Sequence, residues 1–529
     1  MRKHISFLLT SLGLLLAIGS IITVIIIDRP LVHGQPVMFV SLNDDVLVGT
    51  YYAGTQPNGV MLLEGFGSDQ VTMTSLASEY AREGWHVFTF DFSGHGRSPG
   101  TLTFDNARTD RMAIQAFTAL QEFKQVSGLR ASQIVVIGHS LGARVALQSA
   151  AMNSERVAGL VLLGTQVNLS TNVQSEFFTG TTDADLPWVQ SLGPENLPVP
   201  VVLISGDWDD ILTPVNAEKL FNKLGGENSS VGRVLLILPG LVHNYEPFSP
   251  RVISEITDRS NFGALRIWTW VLGFAGLLLA SIGGAQWAAA AQNIGDGKLA
   301  VGITNLRRFL WGKLWLWLGA LPLAAILGGI FFFIPLGKPV FNLIYVGFIG
   351  GYGILLTTLY WRGKMPGVQG KLPFSKGDFP REWKRILTAL GITAIMLLLT
   401  AAYARTGWFY VPPANLRFVW LVIFTPFTAL GFWIGLYEAR MLRSAGTRSG
   451  AQTALTLIGL FPFFLYTILM AAIGSLSGMI GGLQGLLILW LVLAFGNLVQ
   501  AVGRRPWLTA VCMAVLLYWL ILPQGVLFG

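Results

Sequence analysis

The residues most able to do chemistry sit in Gly138-His139-Ser140-Leu141-Gly142, a G-x-S-x-G pattern. Four β-branched residues, Ile134-Val135-Val136-Ile137, precede it and read as a buried strand. Ala143-Arg144-Val145-Ala146-Leu147-Gln148 follows and reads as a helix. A serine on a sharp strand-to-helix turn is lifted clear of the sheet, and flanking glycines let backbone pass where a Cβ would collide. Such a hydroxyl is a nucleophile once a base takes its proton and a carboxylate orients that base. The chemistry this implies is acyl transfer through a covalent intermediate.

The chain has six histidines: His4, His33, His86, His95, His139 and His243. His139 lies inside the turn and four others precede Ser140, so His243 is the base expected downstream. It follows the apolar run Val234-Leu235-Leu236-Ile237-Leu238 and the loop Pro239-Gly240-Leu241-Val242. Between serine and histidine, the strand-like Val201-Val202-Leu203-Ile204 ends in an acidic turn carrying Asp207, Asp209 and Asp210. Any of the three could be the orienting acid, and the others then serve as turn formers.

Three segments carry a family resemblance. They are Gly206-Asp207-Trp208-Asp209-Asp210-Ile211-Leu212-Thr213-Pro214, Val60-Met61-Leu62-Leu63-Glu64-Gly65-Phe66-Gly67-Ser68, and Phe88-Thr89-Phe90-Asp91-Phe92-Ser93-Gly94-His95-Gly96-Arg97-Ser98. With the Ser140 turn, they make the region from about Val37 to Ser260 similar to the α/β-hydrolase superfamily, in its serine aminopeptidase and monoacylglycerol lipase-like branch. The resemblance implies the order Ser140, Asp209, His243 for the catalytic residues. It also implies an oxyanion hole of the Phe66 and Leu141 backbone N–H groups. Relatives usually carry histidine where this chain has Glu64. The segment around His95 resembles a loop that orders the floor of the turn, a structural role.

Composition sets the rest of the chain apart. Hydrophobic residues make up 52% and charged ones 12%, against about 25% charged in soluble proteins. From Asp28 to Phe262 there are 24 acidic and 14 basic residues; the remainder holds 4 acidic and 22 basic. The net charge of +8 therefore reflects basic loops beside apolar helices and gives no reason to expect nucleic acid. Ile5 to Ile27 is uncharged and apolar, long enough to cross a hydrocarbon core of about 30 Å. It reads as a signal anchor, with a cleaved signal peptide as the competing reading. Spans are expected near 264–286, 309–334, 340–361, 386–404, 418–437, 453–475, 480–501 and 507–527. With Met1 in the cytoplasm, the loops that become cytoplasmic hold fifteen Lys and Arg, and the opposite loops hold Lys338, Arg405 and Arg417. Lys313 and Glu438 are placed near span ends, and the span prolines Pro322, Pro426 and Pro462 are possible kink points.

The expected organisation is an N-terminal anchor over 1–30, an extracytoplasmic α/β-hydrolase domain over 31–262 and a polytopic domain of about eight helices over 263–529. The fold class is α/β, a mostly parallel sheet joined to an all-α membrane bundle. Strands are predicted near 59–64, 85–91, 133–138, 157–163, 200–205 and 233–238, and helices over 72–83, 104–127, 141–152 and 214–224. A short lid is expected between Thr165 and Pro200, with Phe177, Phe178 and Trp188 in it. The one cysteine, Cys512, falls in the last span, so the expected exported domain has no disulfide. No cofactor or metal is expected. The expected partners are the bilayer and a small or lipid-like substrate. Two functions remain open: a membrane-anchored serine hydrolase of ester or lipid-like acyl groups, or a transporter or assembly factor whose hydrolase-like domain binds ligand or acts as a peptidase or amidase.

Overall fold

The computed structural model describes residues 2–103, 107–153, 155–165, 167–169, 186–257, 261–291, 301–370, 383–446 and 449–529. The chain opens with helix α1 (Arg2–Ile27). Strands β1 (Gln35–Val40), β2 (Val46–Tyr52), β3 (Gly59–Leu63), β4 (His86–Asp91), β5 (Ile134–His139), β6 (Gly159–Leu163), β7 (Val201–Gly206) and β8 (Arg233–Leu238) form one sheet. Its order is β1-β2-β4-β3-β5-β6-β7-β8. The pairs from β4 through β8 are parallel, while β1–β2 and β2–β4 are antiparallel. Helices α2 (Thr74–Arg82), α3 (Ala107–Ser127), α4 (Leu141–Met152), α5 (Pro214–Lys223) and α6 (Pro250–Thr257) join and cover the strands.

β3 and β6 are buried at every position, as strands covered on both faces must be. Met61, Leu63, Val136, Leu160 and Leu162 face one apolar cluster, and Val60, Leu62, Ile137, Val161 and Leu163 face the other. The alternation along each strand thus feeds two cores, one per face. Two strands, β1 and β2, extend the sheet beyond the six predicted. The predicted helix at 72–83 divides into a 3-10 turn (Gln70–Met73) and α2. Phe177 and Phe178 of the expected lid lie outside the described residues.

After Phe262 the chain is helical: α7 (Gly263–Ala291), α8 (Leu306–Phe332), α9 (Val340–Trp361), α10 (Trp383–Ala404), α11 (Leu416–Ser444), α12 (Ser449–Gly459), α13 (Phe461–Ala472), α14 (Leu476–Gly503) and α15 (Pro506–Ile521). Among the described residues eight helices, α1 among them, have the length and apolarity to cross a membrane, and α12 with α13 form a pair bent by 66°. The bend falls at Leu460, where Pro462 opens the second helix and so withdraws one backbone donor from a continuous helix. α1 packs along α7 through small residues. A Cβ on Gly13 would fall 2.3 Å from the Ala280 nitrogen, and one on Gly276 would fall 2.6 Å from that of Ala17.

Lys313 and Glu438, placed near span ends by the sequence, are both buried, 3% and 0% exposed. They form an ion pair between α8 and α11. Tyr360 Oη donates to Glu438 at 2.9 Å. The carboxylate is thereby satisfied away from water, as a charge inside an apolar bundle requires.

Candidate active site

β5 ends in the middle of the sheet, and Ser140 follows it at φ 54°, ψ −116°. A positive φ outside glycine is strained and needs surrounding structure to hold it. Here the Ser140 N–H donates to the Leu163 carbonyl at 2.8 Å, tying the turn to β6. The two glycines of the pattern are required by close approach. A Cβ on Gly138 would lie 2.3 Å from the Gly142 oxygen, and one on Gly142 would lie 2.5 Å from the Leu63 and Glu64 oxygens.

The turn after β7 and the segment after β8 complete the arrangement. His243 Nε2 stands 2.9 Å from Ser140 Oγ. His243 Nδ1 stands 2.7 Å from Asp209 Oδ2. Asp209 Oδ1 accepts from the N–H groups of Ile211 at 2.9 Å and Leu212 at 2.7 Å, which aims its other oxygen at the ring. Asp209 and His243 are each 3% exposed. With Nδ1–H donated to Asp209, the Nε2 lone pair faces the serine O–H, the pairing that deprotonates a hydroxyl.

The chain at Gly65 passes directly beside the serine: a Cβ there would lie 3.3 Å from Ser140 Cβ. Phe66 therefore flanks the nucleophile on one side, and Leu141, the first residue of α4, flanks it on the other. Glu64 turns away and accepts the Phe92 N–H at 2.8 Å. Burial, reinforced by Asp91, pushes its carboxyl well above the usual range. The uncharged form of Glu64 is thus favoured beside the site. His95 is buried, and burial with Arg417 nearby pushes it down to about 3. It packs edge-on to Phe66 and Phe92, a structural placement.

Sequence reasoning missed Glu246, three residues past His243 and without a motif of its own. It is fully buried, accepts the Gly206 N–H at 3.1 Å, and lies 3.6 Å from His139 Nε2. Burial, with Asp209 close, raises its carboxyl well above the ordinary range. His139 donates through Nε2 to the His243 carbonyl at 3.0 Å, and burial pushes it down to about 3. Donor atoms of His139, His243 and Glu246 lie within 4.8 Å of one another. His243 Nδ1 already faces Asp209 and Nε2 already faces Ser140, so a cation bound through His243 would displace one of these two contacts.

Of the two other aspartates, Asp207 accepts the Gly240 N–H at 2.6 Å, as a turn former does. Asp210 does not. Its carboxylate reaches out of the domain to Ser475 Oγ at 2.9 Å and to the Ser477 N–H at 3.0 Å, at the start of α14. The physical reason is a helix N-terminus with unpaired donors, which favours an anion.

That contact is one of several joining the carboxyl edge of the sheet to the helical bundle. Phe66 meets Phe341 and Phe528, each with ring centroids 6.0 Å apart. Arg417 of α11 donates to the carbonyls of Gly94 at 2.7 Å and Gly96 at 3.1 Å. The Leu527 N–H donates to the Gly94 carbonyl at 3.0 Å. Gln484 of α14 donates to Tyr245 Oη at 3.0 Å. The edge that carries the serine faces the bundle.

Residues 56–194 match a family described as serine aminopeptidase, S33. Among curated proteins, protein phosphatase methylesterase 1 of Candida albicans is 32% identical over 117 residues, 22% of this chain and 31% of that protein. Protein bem46 of Schizosaccharomyces pombe is 24% identical over 151 residues, 28% of this chain and 49% of that protein. The chain thus spans less than half the length of these relatives. Among solved structures, an esterase of Pyrococcus furiosus is 19% identical with a TM-score of 0.35, covering 44% of this chain and 91% of its own. A monoglyceride lipase of Saccharomyces cerevisiae, solved as a soluble variant with a substrate analogue, is 16% identical with a TM-score of 0.31, covering 44% and 94%.

Proposed function

We propose that this chain, an α/β-hydrolase domain joined to a bundle of membrane-length helices, is a membrane-anchored serine hydrolase of carboxylic esters or lipid-like acyl groups. The observation that carries the reading is the continuous contact Ser140 Oγ, His243 Nε2, His243 Nδ1, Asp209 Oδ2 at 2.9 and 2.7 Å on a strained turn. A module that only binds a ligand has no need of it.

In the proposed reaction His243 takes the Ser140 proton as Oγ attacks the acyl carbon. The developing oxyanion is held by the N–H groups of Phe66 and Leu141. His243, its charged form stabilised by Asp209, then protonates the leaving alcohol. Water, deprotonated by the same ring, hydrolyses the acyl-enzyme and restores the serine. Because the carboxyl edge faces the bundle, an amphiphile at the membrane surface reaches the serine without leaving the interface. We further propose that the domain lies outside the cytoplasm at the plasma membrane, with the N-terminus inside and the C-terminus outside; the distribution of basic loops supports that orientation.

Labelling the full-length protein with a fluorophosphonate tests the proposal. The wild type should label and turn over a p-nitrophenyl ester. Ser140→Ala should lose the label and on the order of 10⁵-fold or more in turnover, since only binding and the oxyanion hole remain. Turnover unchanged in that variant would remove Ser140 from the reaction. A wild type that neither labels nor turns over would leave a ligand-binding domain on a transporter or assembly factor.

A further inference from the structure

A cleft of about 340 Å³ opens where the end of α1, strands β2 and β4, and the chain following α10 converge. None of Ser140, Asp209, His243 or Phe66 lines it. Its size falls within the roughly 300–1,000 Å³ of small-molecule sites. One wall is apolar, with Val24 and Ile25 of α1 and Ala402 of α10; the other presents Thr50, Arg97 and Arg405. The apolar wall belongs to the ends of two membrane-length helices, the depth at which lipid headgroups lie.

Positive charge exceeds negative there. Asp28, the acid in the lining, is taken by Arg266 in a two-pronged ion pair. Arg97 Nη2 donates to Thr50 Oγ1 at 3.0 Å, but its buried Nε has no hydrogen-bond partner. Asp91 stands 3.8 Å from that nitrogen and already accepts from Gln70 and from the Arg97 N–H. Arg405 donates Nε–H to the Val411 carbonyl at 2.7 Å and meets no carboxylate among the described residues. Both guanidinium groups lie against the Tyr410 ring, 4.9 and 4.7 Å from its centroid. Stacking orients each group and leaves the in-plane N–H donors not used on Thr50 and Val411 for another acceptor.

We propose that this cleft binds the headgroup of an anionic phospholipid, its phosphodiester held by Arg97 and Arg405 and an acyl chain laid along Val24, Ile25 and Ala402. Guanidinium forks suit phosphate oxygens, and anionic lipid attracts cations at this depth. A free anion has no use for the aliphatic wall. The site would fasten the hydrolase domain to the bilayer whether or not the serine is active, so the inference stands apart from the catalytic proposal.

The test uses the delipidated full-length protein in neutral detergent. Thermal unfolding is followed with added phosphatidylglycerol, phosphatidylcholine or inorganic phosphate, and lipid retention is read by native mass spectrometry. Phosphatidylglycerol should raise the unfolding midpoint by about 4 °C and remain bound, and phosphatidylcholine and phosphate should not. Arg405→Gln, an exposed change, should weaken phosphatidylglycerol about tenfold while leaving ester turnover intact. Arg405→Lys should lose less. Equal response to phosphatidylcholine would overturn the headgroup assignment. An equal response to inorganic phosphate would overturn the lipid assignment. Full retention of phosphatidylglycerol in Arg405→Gln would overturn the location.

Discussion

Asp209 and Asp210 are neighbours with opposite duties, and substitution separates them. Asp209→Asn keeps the size of the side chain but offers an amide to His243 Nδ1, which mis-sets the ring tautomer; turnover should fall by about 10⁴. Asp210→Asn faces Ser475 and Ser477 rather than the ring, so its turnover should stay within about tenfold of the parent. Steady-state ester hydrolysis by the two proteins decides the point, and a crippled Asp210→Asn beside an active Asp209→Asn would exchange their roles. Glu64 offers a second test, in stability. Its folded carboxyl keeps its proton to higher pH than the unfolded one, whose ordinary value is 4.5. Stability from this group is therefore fully present below about pH 4.5 and drains away as pH rises toward the folded value, by about 1.4 kcal/mol per pH unit. Glu64→Gln mimics the protonated form, and Gln Oε1 can still accept the Phe92 N–H. Its melting temperature should gain on the parent from about pH 5 to about pH 7; parallel curves would show that Glu64 is already ionised in the fold. At this scale Ser140 and His243 were legible because a motif and an order of elements announce them. Glu246 was not legible, because a buried glutamate defined only by contacts with Gly206 and His139 has no sequence pattern.

Elements were readable where both faces are buried. β3, β5, β6 and β7 are short apolar runs, and their predicted ranges match the observed strands within two residues. β1 and β2 were not predicted. They form the antiparallel edge of the sheet and are only partly buried. Pro36 sits near the start of β1 and Gly49 inside β2, and both weaken a strand pattern. In β2 the inward residues Leu47, Gly49 and Tyr51 do alternate, but with glycine at the centre the apolar stripe is thin. The junction of Asp210 with α14 was invisible for another reason: its partners are 265 and 267 residues away. That junction can be measured. Asp210 accepts from the Ser477 N–H and from both serine hydroxyls at a helix start, where an anion contributes about 1 kcal/mol. A double-mutant cycle with Asp210→Ala and Ser477→Ala, read by thermal or denaturant unfolding, should give a coupling of about 1 kcal/mol. Additive losses would show the two elements to be energetically independent.

At the scale of the molecule, the contacts constrain the topology more tightly than helix length does. The hydrolase domain meets Phe341 at the start of α9, Tyr410 and Arg417 around the start of α11, Ser475 and Ser477 at the start of α14, and Phe528 after α15. These points alternate along the chain with the other helix ends. On the opposite ends, Gly302–Ile303 pairs with Val368–Gln369 ahead of α8 and after α9. α11 leaves the hydrolase-facing side and α14 starts from it, so the bent pair α12–α13 must return the chain across the bundle. We therefore propose nine crossings rather than eight with a re-entrant loop, in agreement with the alternation of basic loops. The expected result is a sorting of single cysteines on a Cys512→Ala background, probed with a membrane-impermeant maleimide in intact cells and after lysis. Ser230→Cys in the hydrolase domain and Ile473→Cys beyond α13, where the native side chain is 69% exposed, should react from the same side. Lys364→Cys after α9 and Ala445→Cys after α11 should react from the other. By the positive-inside rule the first pair should label in intact cells and the second only after lysis. If Ile473→Cys behaved like Ala445→Cys, the bent pair would be re-entrant. If all four inverted, the serine would face the cytoplasm, and the orientation proposed from the basic loops would be overturned.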